Sequence, residues 1–569
     1  MADNPSTGET RAPSPPPDAR AAKRPRLESP TQTTVSPPQL SKSQKRRQQY
    51  NALPEACSPD DVLWREINDV LGEDYVNAAL ADGTDRQSPF EYHQELEMQV
   101  VALCSTGSAL ATSAESARPW VVVVPFCLPG ETIRVRVFRN ARMHSQADLL
   151  EVVAPNPAFR DDTLVRCKYF GSCAGCQYQM LPYEKQLDLK RDVIVKAYKN
   201  YSNLPQAAMP PVESTMPSPL QYNYRTKITP HFEAPTKAQS RDPSNPKNST
   251  EKPEWFNIGF NRVGTHKVMD IEDCPIATPI IRETLPAVRA NAIKNLYTYK
   301  RGVSLILRDS LPPAPAPVPG ADPADALAAD LATTHISVTD HRGHVRERVG
   351  PWLFEYPNSS FFQNNNAVLP SLTSYVAARI AAAPGPGPAP THLVDAYCGA
   401  GLFAIALSPH FRRVAGIELS TESIRAATRN AALNGLGAER VAFRAGDAAD
   451  IFRAVGDFPP RETVLLIDPP RKGCDAPFVA QLLAFRARTV VYVSCNVHTQ
   501  ARDVGLILEG SRADAGAGGG EGEKGRGRYV LESVRGFDLF PQTAHVESVA
   551  VLRLVDAEEG VEDAIKETA

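Results

Sequence analysis

Val490-Val-Tyr-Val-Ser-Cys495-Asn496 is the stretch on which the fold of this chain turns. Four apolar or aromatic residues run into Ser494 and Cys495, and residues 500–508 then carry helical periodicity. The pattern is that of a buried parallel strand whose carboxyl end hands one cysteine to the start of a helix. In open α/β sheets, chemistry sits at the carboxyl ends of the strands. Aligned peptide dipoles at a helix N-terminus favour a thiolate, so this placement predicts a Cys495 pKa below the unperturbed value of roughly 8.5. A buried structural cysteine fits the same seven residues. The flanking sequence separates the two readings.

Working upstream, strand and helix alternate from about residue 350. Leu393-Val-Asp-Ala-Tyr397 is a strand, Cys398-Gly-Ala-Gly401 a tight turn, and residues 402–407 open a helix. Such a glycine turn brings backbone N–H groups close to an anionic or carboxylate-bearing ligand. A second strand, Val414-Ala-Gly-Ile417, ends at Glu418, where a carboxylate grips ribose hydroxyls. A third ends in Arg444-Ala-Gly-Asp447, a place suited to a group beside an adenine. The fourth, Val464-Leu-Leu-Ile467, runs into Asp468-Pro-Pro-Arg471, and the fifth ends at Cys495. This predicts a doubly wound, Rossmann-like α/β domain. Its turn has no third spaced glycine, which favours S-adenosylmethionine over NAD. A plain strand-to-helix connection is the competing reading of the turn, and five successive strands with polar ends weigh against it.

Asp-Pro-Pro after the fourth strand also occurs in amino-methyltransferases, where an aromatic residue follows to stack the base; here Arg471-Lys-Gly473 follows. RNA cytosine-5 methylases pair the cysteine after strand five with a second one in the strand-four loop. Cys474 lies in that loop at a different spacing, and this alternative stays open.

The 569 residues leave room for several domains. A net charge of -3 excludes a global basic field, so any RNA-binding surface must be local. No apolar run of transmembrane length and no signal peptide are read. In a chain of that kind, ten cysteines with three between positions 167 and 176 suggest metal rather than disulfides.

Residues 1–55 are rich in Pro, Ser, Thr and charge and predict a disordered tail. Its Lys23-Arg-Pro-Arg26 and Lys45-Arg-Arg47 read equally as a nuclear or RNA-grazing address and as a solvated basic tail. Residues 56–92 form a short helical extension, with an amphipathic helix over 60–81 opened by Ser58-Pro-Asp60. Residues 93–156 read as a small β-barrel. In it Ile133, Val135 and Val137 alternate with Arg134 and Arg136, and Arg139 follows, giving an apolar inside and a basic outside. Arginines that only keep an exposed strand soluble are the competing reading.

Residues 157–349 form a central α+β domain, with strands expected at 221–227 and 258–262 and surface inserts at 236–254 and 311–326. It carries Cys167-Lys-Tyr-Phe-Gly-Ser-Cys173-Ala-Gly-Cys176, with Cys274 following in Ile271-Glu-Asp-Cys-Pro275. Four thiolates hold an iron–sulfur cluster or zinc, or remain thiols. The three-plus-one spacing and the following proline favour [4Fe–4S] over the paired knuckles usual for zinc. Residues 350–557 form the methyltransferase domain and 558–569 a second disordered tail. After a glycine-rich insert at 516–528, the domain closes with Phe540-Pro-Gln-Thr-Ala-His545-Val-Glu547 and a last strand at 549–554. His545 and Glu547, two apart at its entrance, face alike; either can act as a base, or both form a polar strand edge.

With Asp468-Pro-Pro-Arg471, Ser494-Cys495-Asn496 and Phe540-Pro541 through Glu547 in this order, the chain resembles the RNA uracil-5 methyltransferase family, most closely its fungal tRNA branch. Residues 125–139 and 147–155 likewise resemble the TRAM domain, an RNA-binding barrel attached to RNA-modifying enzymes. The resemblance implies Cys495 as nucleophile and Glu547 as proton acceptor; from the chemistry alone His545 is the second choice of base. It implies S-adenosylmethionine contacts from Gln363 in Ser360-Phe-Phe-Gln-Asn-Asn365 and from Tyr397, Glu418 and Asp468; the strand-end reading above adds the Gly399 turn and Asp447 to the cofactor site. Cys167, Cys173, Cys176 and Cys274 match the iron–sulfur ligands of the bacterial 23S rRNA branch. The implied substrate is tRNA, at the T-arm uridine 54, with rRNA uracil-5 or RNA cytosine-5 methylation as alternatives and a tRNA-binding or tRNA-folding protein as the non-enzyme alternative. No membrane and no obligate protein partner are implied. The expected compartment is nucleus or cytoplasm, with the mitochondrion left open.

Overall fold

Ser58 caps the first helix among the described residues. Its hydroxyl accepts the Asp61 N–H at 3.2 Å and Pro59 fills the first turn, so α1 spans Pro59–Leu71. Gly72, at φ +87°, ends it and α2 (Glu73–Ala81) follows. The single helix expected over 60–81 is therefore two, broken where a glycine takes a positive φ. The computed structural model describes residues 53–241, 251–313, 335–382, 389–446, 455–516 and 527–556. Residues 1–52 with the basic runs at 23–26 and 45–47, the tail at 558–569, parts of the three inserts and Asp447 lie outside them.

Strands β1 (Glu95–Leu103), β2 (Ala109–Thr112), β3 (Val121–Val124), β4 (Thr132–Asn140) and β5 (His144–Ala154) close into a barrel in the order β1-β2-β3-β5-β4. On β4, Ile133, Val135 and Val137 are fully buried while Arg134 and Arg136 are exposed, as period-two alternation requires; Arg139 shares the parity of the buried residues and is exposed only because the register shifts between Val137 and Arg139. Arg134 pairs with Glu151 on β5 at 2.8 Å.

The central region holds α3 (Tyr183–Tyr201), β6 (Glu213–Met216), β7 (Lys227–Ile228), β8 (His231–Phe232), α4 (Pro279–Lys294), β9 (Val303–Ser304), β10 (Leu307–Ser310), β11 (Ile336–Val338) and the hairpin β12 (His344–Val349)–β13 (Trp352–Pro357). The strands expected over 221–227 and 258–262 are mostly loops joined by single bridges such as Arg225 to Asn365 and His231 to Gly259. Their polar and aromatic side chains make tertiary bonds instead: the Tyr224 hydroxyl donates to the Pro541 carbonyl at 3.0 Å.

The last region contains α5 (Leu369–Ala381), β14 (His392–Ala396), α6 (Leu402–Leu407), β15 (Arg413–Glu418), α7 (Thr421–Leu433), β16 (Val441–Ala445), β17 (Thr463–Ile467), α8 (Ala476–Phe485), β18 (Thr489–Ser494), α9 (Val497–Gly516), β19 (Arg528–Phe537) and β20 (Glu547–Val555). One eight-stranded sheet runs β16-β15-β14-β17-β18-β20-β19-β6. β16 through β18 are parallel, and β20 is antiparallel to both of its neighbours. β14, β17 and β18 are buried throughout because both faces are covered. Val394, Leu465, Val490 and Tyr492 join the core on one face; Leu393, Leu466, Val491 and Val493 join the core on the other. Each such side chain contributes roughly 1.5–3 kcal/mol of burial. The strand order reverses between β14 and β17, and the crevice outside the carboxyl ends of these strands is where a ligand sits in this architecture.

Candidate active site

At the end of β14 the chain turns sharply. Tyr397, Gly399 and Gly401 all have positive φ, at +64°, +53° and +90°. Gly401 has no alternative: a Cβ there would lie 3.0 Å from Phe443 Cζ and 3.3 Å from Ala427 Cβ. Asp395, wholly buried, accepts the Ala404 N–H at 2.8 Å and so fixes α6 to the strand. Glu418, at the end of β15, accepts the Gly399 N–H at 3.3 Å and the Ser420 N–H at 2.9 Å, which holds its carboxylate over the turn. The Gln363 loop is fixed from three sides. Asn365 Nδ2 donates to Ser218 Oγ and to the Leu539 carbonyl, the Thr226 N–H donates to the Asn364 carbonyl, and Arg308 Nη1 donates to the Ser360 carbonyl.

A cavity of about 560 Å³ lies between these elements, lined by Gln363, Tyr397, Glu418, Asp468 and Cys495 among others. Gly399 acts behind its wall through the bond to Glu418, and Gly446 lines the cavity. Two rim residues were not singled out from sequence: Phe361, 75% exposed, and Leu419, 72% exposed. The signal for Phe361 was its pairing with Phe362. Only Phe362 enters the core, stacking on Tyr356 at 4.6 Å, which leaves its neighbour at the cavity.

Cys495 also lines a second cavity of about 540 Å³, together with Arg471, Lys472, Asn496 and His545. It therefore stands on a wall common to both. The loop after β17 is lashed to the start of α9: Asn496 Nδ2 and Thr499 Oγ1 donate to the Arg471 carbonyl at 2.9 and 3.2 Å, and the Cys474 N–H donates to Asp503 at 2.7 Å. Glu547, buried at the start of β20, lines neither cavity; His545, which lines the second, has its Nε2 3.8 Å from the Glu547 carboxylate.

The electrostatics correct one expectation. The Cys495 pKa is not lowered: burial first, then the Glu547 and Asp468 carboxylates, push the thiol up to about 12. The Arg471 guanidinium, hydrogen-bonded to the thiol, opposes them. A helix dipole acts through partial charges, and here desolvation and two nearby acids outweigh it. The Asp468 carboxyl is itself held well above the usual carboxylate range by burial, then by Glu547 and Asp395. Cys474 lines neither cavity. It is buried in the core with Sγ 3.9 Å from the Tyr492 hydroxyl, so the strand-four loop presents no second thiol to the site.

Cys167, Cys173, Cys176 and Cys274 together line a separate cavity of about 390 Å³. Burial, followed by Cys274, pushes the Cys176 thiol up to about 12. Among the described residues no three His, Cys, Asp or Glu side chains converge tightly enough to hold a metal ion. Nor is any described helix long and apolar enough to cross a membrane.

A family model described as tRNA (Uracil-5-)-methyltransferase matches residues 339–514. A Schizosaccharomyces pombe protein named tRNA (uracil(54)-C(5))-methyltransferase is 42% identical over 82% of this chain and 80% of its own length. The chain belongs to the tRNA (uracil-5-)-methyltransferase family. It is a methyltransferase, as the resemblance implied. A Saccharomyces cerevisiae family member of the same name is 34% identical over 93% of this chain and 86% of its own. The crystal structure of the Pyrococcus abyssi tRNA (uracil-54, C5)-methyltransferase shares the fold, with a TM-score of 0.53 at 23% identity, covering 80% of this chain and 99% of that one. The family match includes Cys495 and the residues that line the first cavity, and ends before Glu547.

Proposed function

We propose that this protein methylates C5 of a tRNA uridine, the uridine 54 named for both fungal relatives, using S-adenosylmethionine. The observation that carries this reading is the position of Cys495 on the wall shared by two cavities, with Glu547 and Asp468 in electrostatic contact with its thiol. The first cavity suits the cofactor. Glu418 is held where ribose hydroxyls would be gripped, Tyr397 and Gln363 flank it, and Asp468 lies beside Cys495. When bound there, S-adenosylmethionine supplies an electrophilic methyl group. The second cavity is left for the uridine, which must leave its stack to enter.

C5 of uracil is a weak nucleophile. Addition of the Cys495 thiolate to C6 forms an S–C6 bond and an enolate, which places electron density on C5. Arg471, beside the sulfur, stabilises the thiolate, and Gln363 or a backbone N–H donates to the enolate oxygen. Once C5 carries both the methyl group and its original proton, Glu547 removes that proton. The electron pair returns to the C5–C6 bond as the S–C6 bond breaks and the thiolate leaves. The test is cofactor-dependent tritium release from tRNA labelled at uridine C5. Methyl incorporation without release would mean that another atom is methylated.

In the same reading, the four cysteines hold a [4Fe–4S] cluster. The four line one cavity, and the charges of the thiolates act on one another there. It would clamp the loop before α3 to the loop before α4. Acid-labile sulfide and iron that vanish in Cys274→Ala would support it; bound zinc would refute it. The barrel is read as a TRAM-type RNA-binding module presenting Arg134, Arg136 and Arg139. The compartment is read as nucleus or cytoplasm; a tail-deleted fluorescent fusion tests whether the basic runs at 23–26 and 45–47 act as a nuclear address or only as a solvated tail.

A further inference from the structure

The second cavity has a wall that the catalytic domain does not supply. Residues 55–59, from the N-terminal extension, line it together with Arg471 and Lys472. This segment is anchored from several directions. The Asp61 carboxylate accepts the Cys57 N–H at 2.8 Å and the Tyr201 hydroxyl at 2.9 Å. The Cys57 thiol donates to the His498 carbonyl at 3.6 Å, beside the catalytic cysteine on α9. Buried Glu66 accepts the Ser105 N–H at 2.8 Å, and Arg65 Nη1 donates to the Asn200 carbonyl at 2.7 Å. The extension is thus stapled to α3, to the barrel hairpin between β1 and β2, and to the start of α9. Cys57, at φ +61°, holds a left-handed conformation uncommon for a residue with a Cβ, and these bonds over-determine it.

We propose that residues 55–59 form the outer wall of the RNA pocket at Cys495 and contact the unpaired ribonucleotide next to the target uridine. The inference rests on the uridine-methylating reading above. A volume of about 540 Å³ exceeds the need of one pyrimidine ring; cavities of roughly 300–1,000 Å³ take whole drug-sized molecules. A uridine extruded from an RNA loop brings its phosphates and a neighbouring nucleotide with it. The lining of the cavity matches that chemistry. Arg471 and Lys472 are exposed cations suited to phosphate, and Lys472 makes no ion pair among the described residues. Ser58, Thr106 and Gln177, which line the same cavity, offer neutral polar groups suited to ribose hydroxyls and base edges.

Ala56 is exposed and lines the cavity, so an indole there takes up pocket space without displacing core. With full-length Ala56→Trp, the KM for a T-arm RNA should rise about tenfold, while kcat at saturating RNA, the cofactor Kd and the melting temperature stay at wild-type values. Ala56→Ser should behave as wild type. An RNA with an abasic site immediately 5′ or 3′ of the target uridine should remove the penalty in one of the two positions, because no neighbouring base is left to collide. A purely structural role would not move in that way. Glu55→Trp, also exposed at the cavity, serves if Ala56→Trp melts early. A wild-type KM in the tryptophan variants overturns the proposal, and so does a penalty that persists on both abasic RNAs. If wild-type protein releases no tritium from C5-labelled uridine, the functional reading itself falls. If wild type releases tritium and the tryptophan variants match it in KM, only the wall is refuted.

Discussion

Replacing Glu547 by glutamine should act on the two halves of the reaction in opposite directions. The Cys495 thiol is pushed up to about 12, and the Glu547 carboxylate is the largest cause after burial. At pH 8 a thiol of that pKa is ionised in only about one molecule in 10⁴. Removing a neighbouring negative charge favours the thiolate, so the pKa must fall; one adjacent carboxylate moves it by about one unit, or tenfold in thiolate. The gain stops near that figure because Glu547 also holds the Asp468 carboxyl up, and Asp468 ionises more readily without it. Iodoacetamide should therefore alkylate Cys495 in Glu547→Gln about tenfold faster at pH 8, read by mass spectrometry of the peptide. Turnover should nevertheless be lost, and a covalent RNA adduct should accumulate as a shifted band on a denaturing gel. Unchanged alkylation together with no adduct would refute both the electrostatic contact and the assignment of Glu547 as proton acceptor.

Cys495→Ala should abolish methylation and tritium release while RNA binding by filter assay stays within about twofold of wild type; residual turnover would exclude covalent catalysis. Asp395, pushed up to about 7 by burial, gives a pH signature. An acid whose folded pKa exceeds its unfolded value of about 3.9 carries extra protons in the fold, so wild-type stability falls as pH rises from about 4 through 7. Asp395→Asn keeps an acceptor for the Ala404 N–H and should lose less melting temperature between pH 5 and 8 than wild type does; parallel losses would refute the buried-acid account. Lys190 and Asp538 form a fully buried pair at 2.5 Å that ties α3 to the loop after β19. Lys190→Met strands the carboxylate and should cost about 3–5 kcal/mol in urea unfolding, with Asp538→Leu restoring much of it.

The catalytic half was legible in the chain because its signals are local. Buried parallel strands read as unbroken apolar runs, and the polar residue at each carboxyl end marks the crevice, so Tyr397, Glu418, Asp468 and Cys495 could be placed before any coordinates. The glycine turn was legible for the same reason: a positive φ and a close approach are demands on one residue. The barrel's alternating valines and arginines behaved likewise.

What lies between distant segments was not legible. β6 joins the sheet edge through only two registered pairs, Arg535 to Glu213 and Phe537 to Met216, too short a match to leave a pattern in four residues. The sequence could bring Cys474 close to the chemistry, and only packing against Tyr492 turned it into the core. Helix dipoles argued for an acidic Cys495 thiol, whereas the tertiary fold surrounds it with two carboxylates from other strands. The pocket wall at residues 55–59 meets α9 across 441 residues of chain. The sequence alone therefore determined the elements and the chemistry at their ends, because periodicity and turn geometry act over a few residues. Only the tertiary structure decided the field at the thiol and the shape of the pocket, because charge, burial and steric walls depend on which distant segments are brought together.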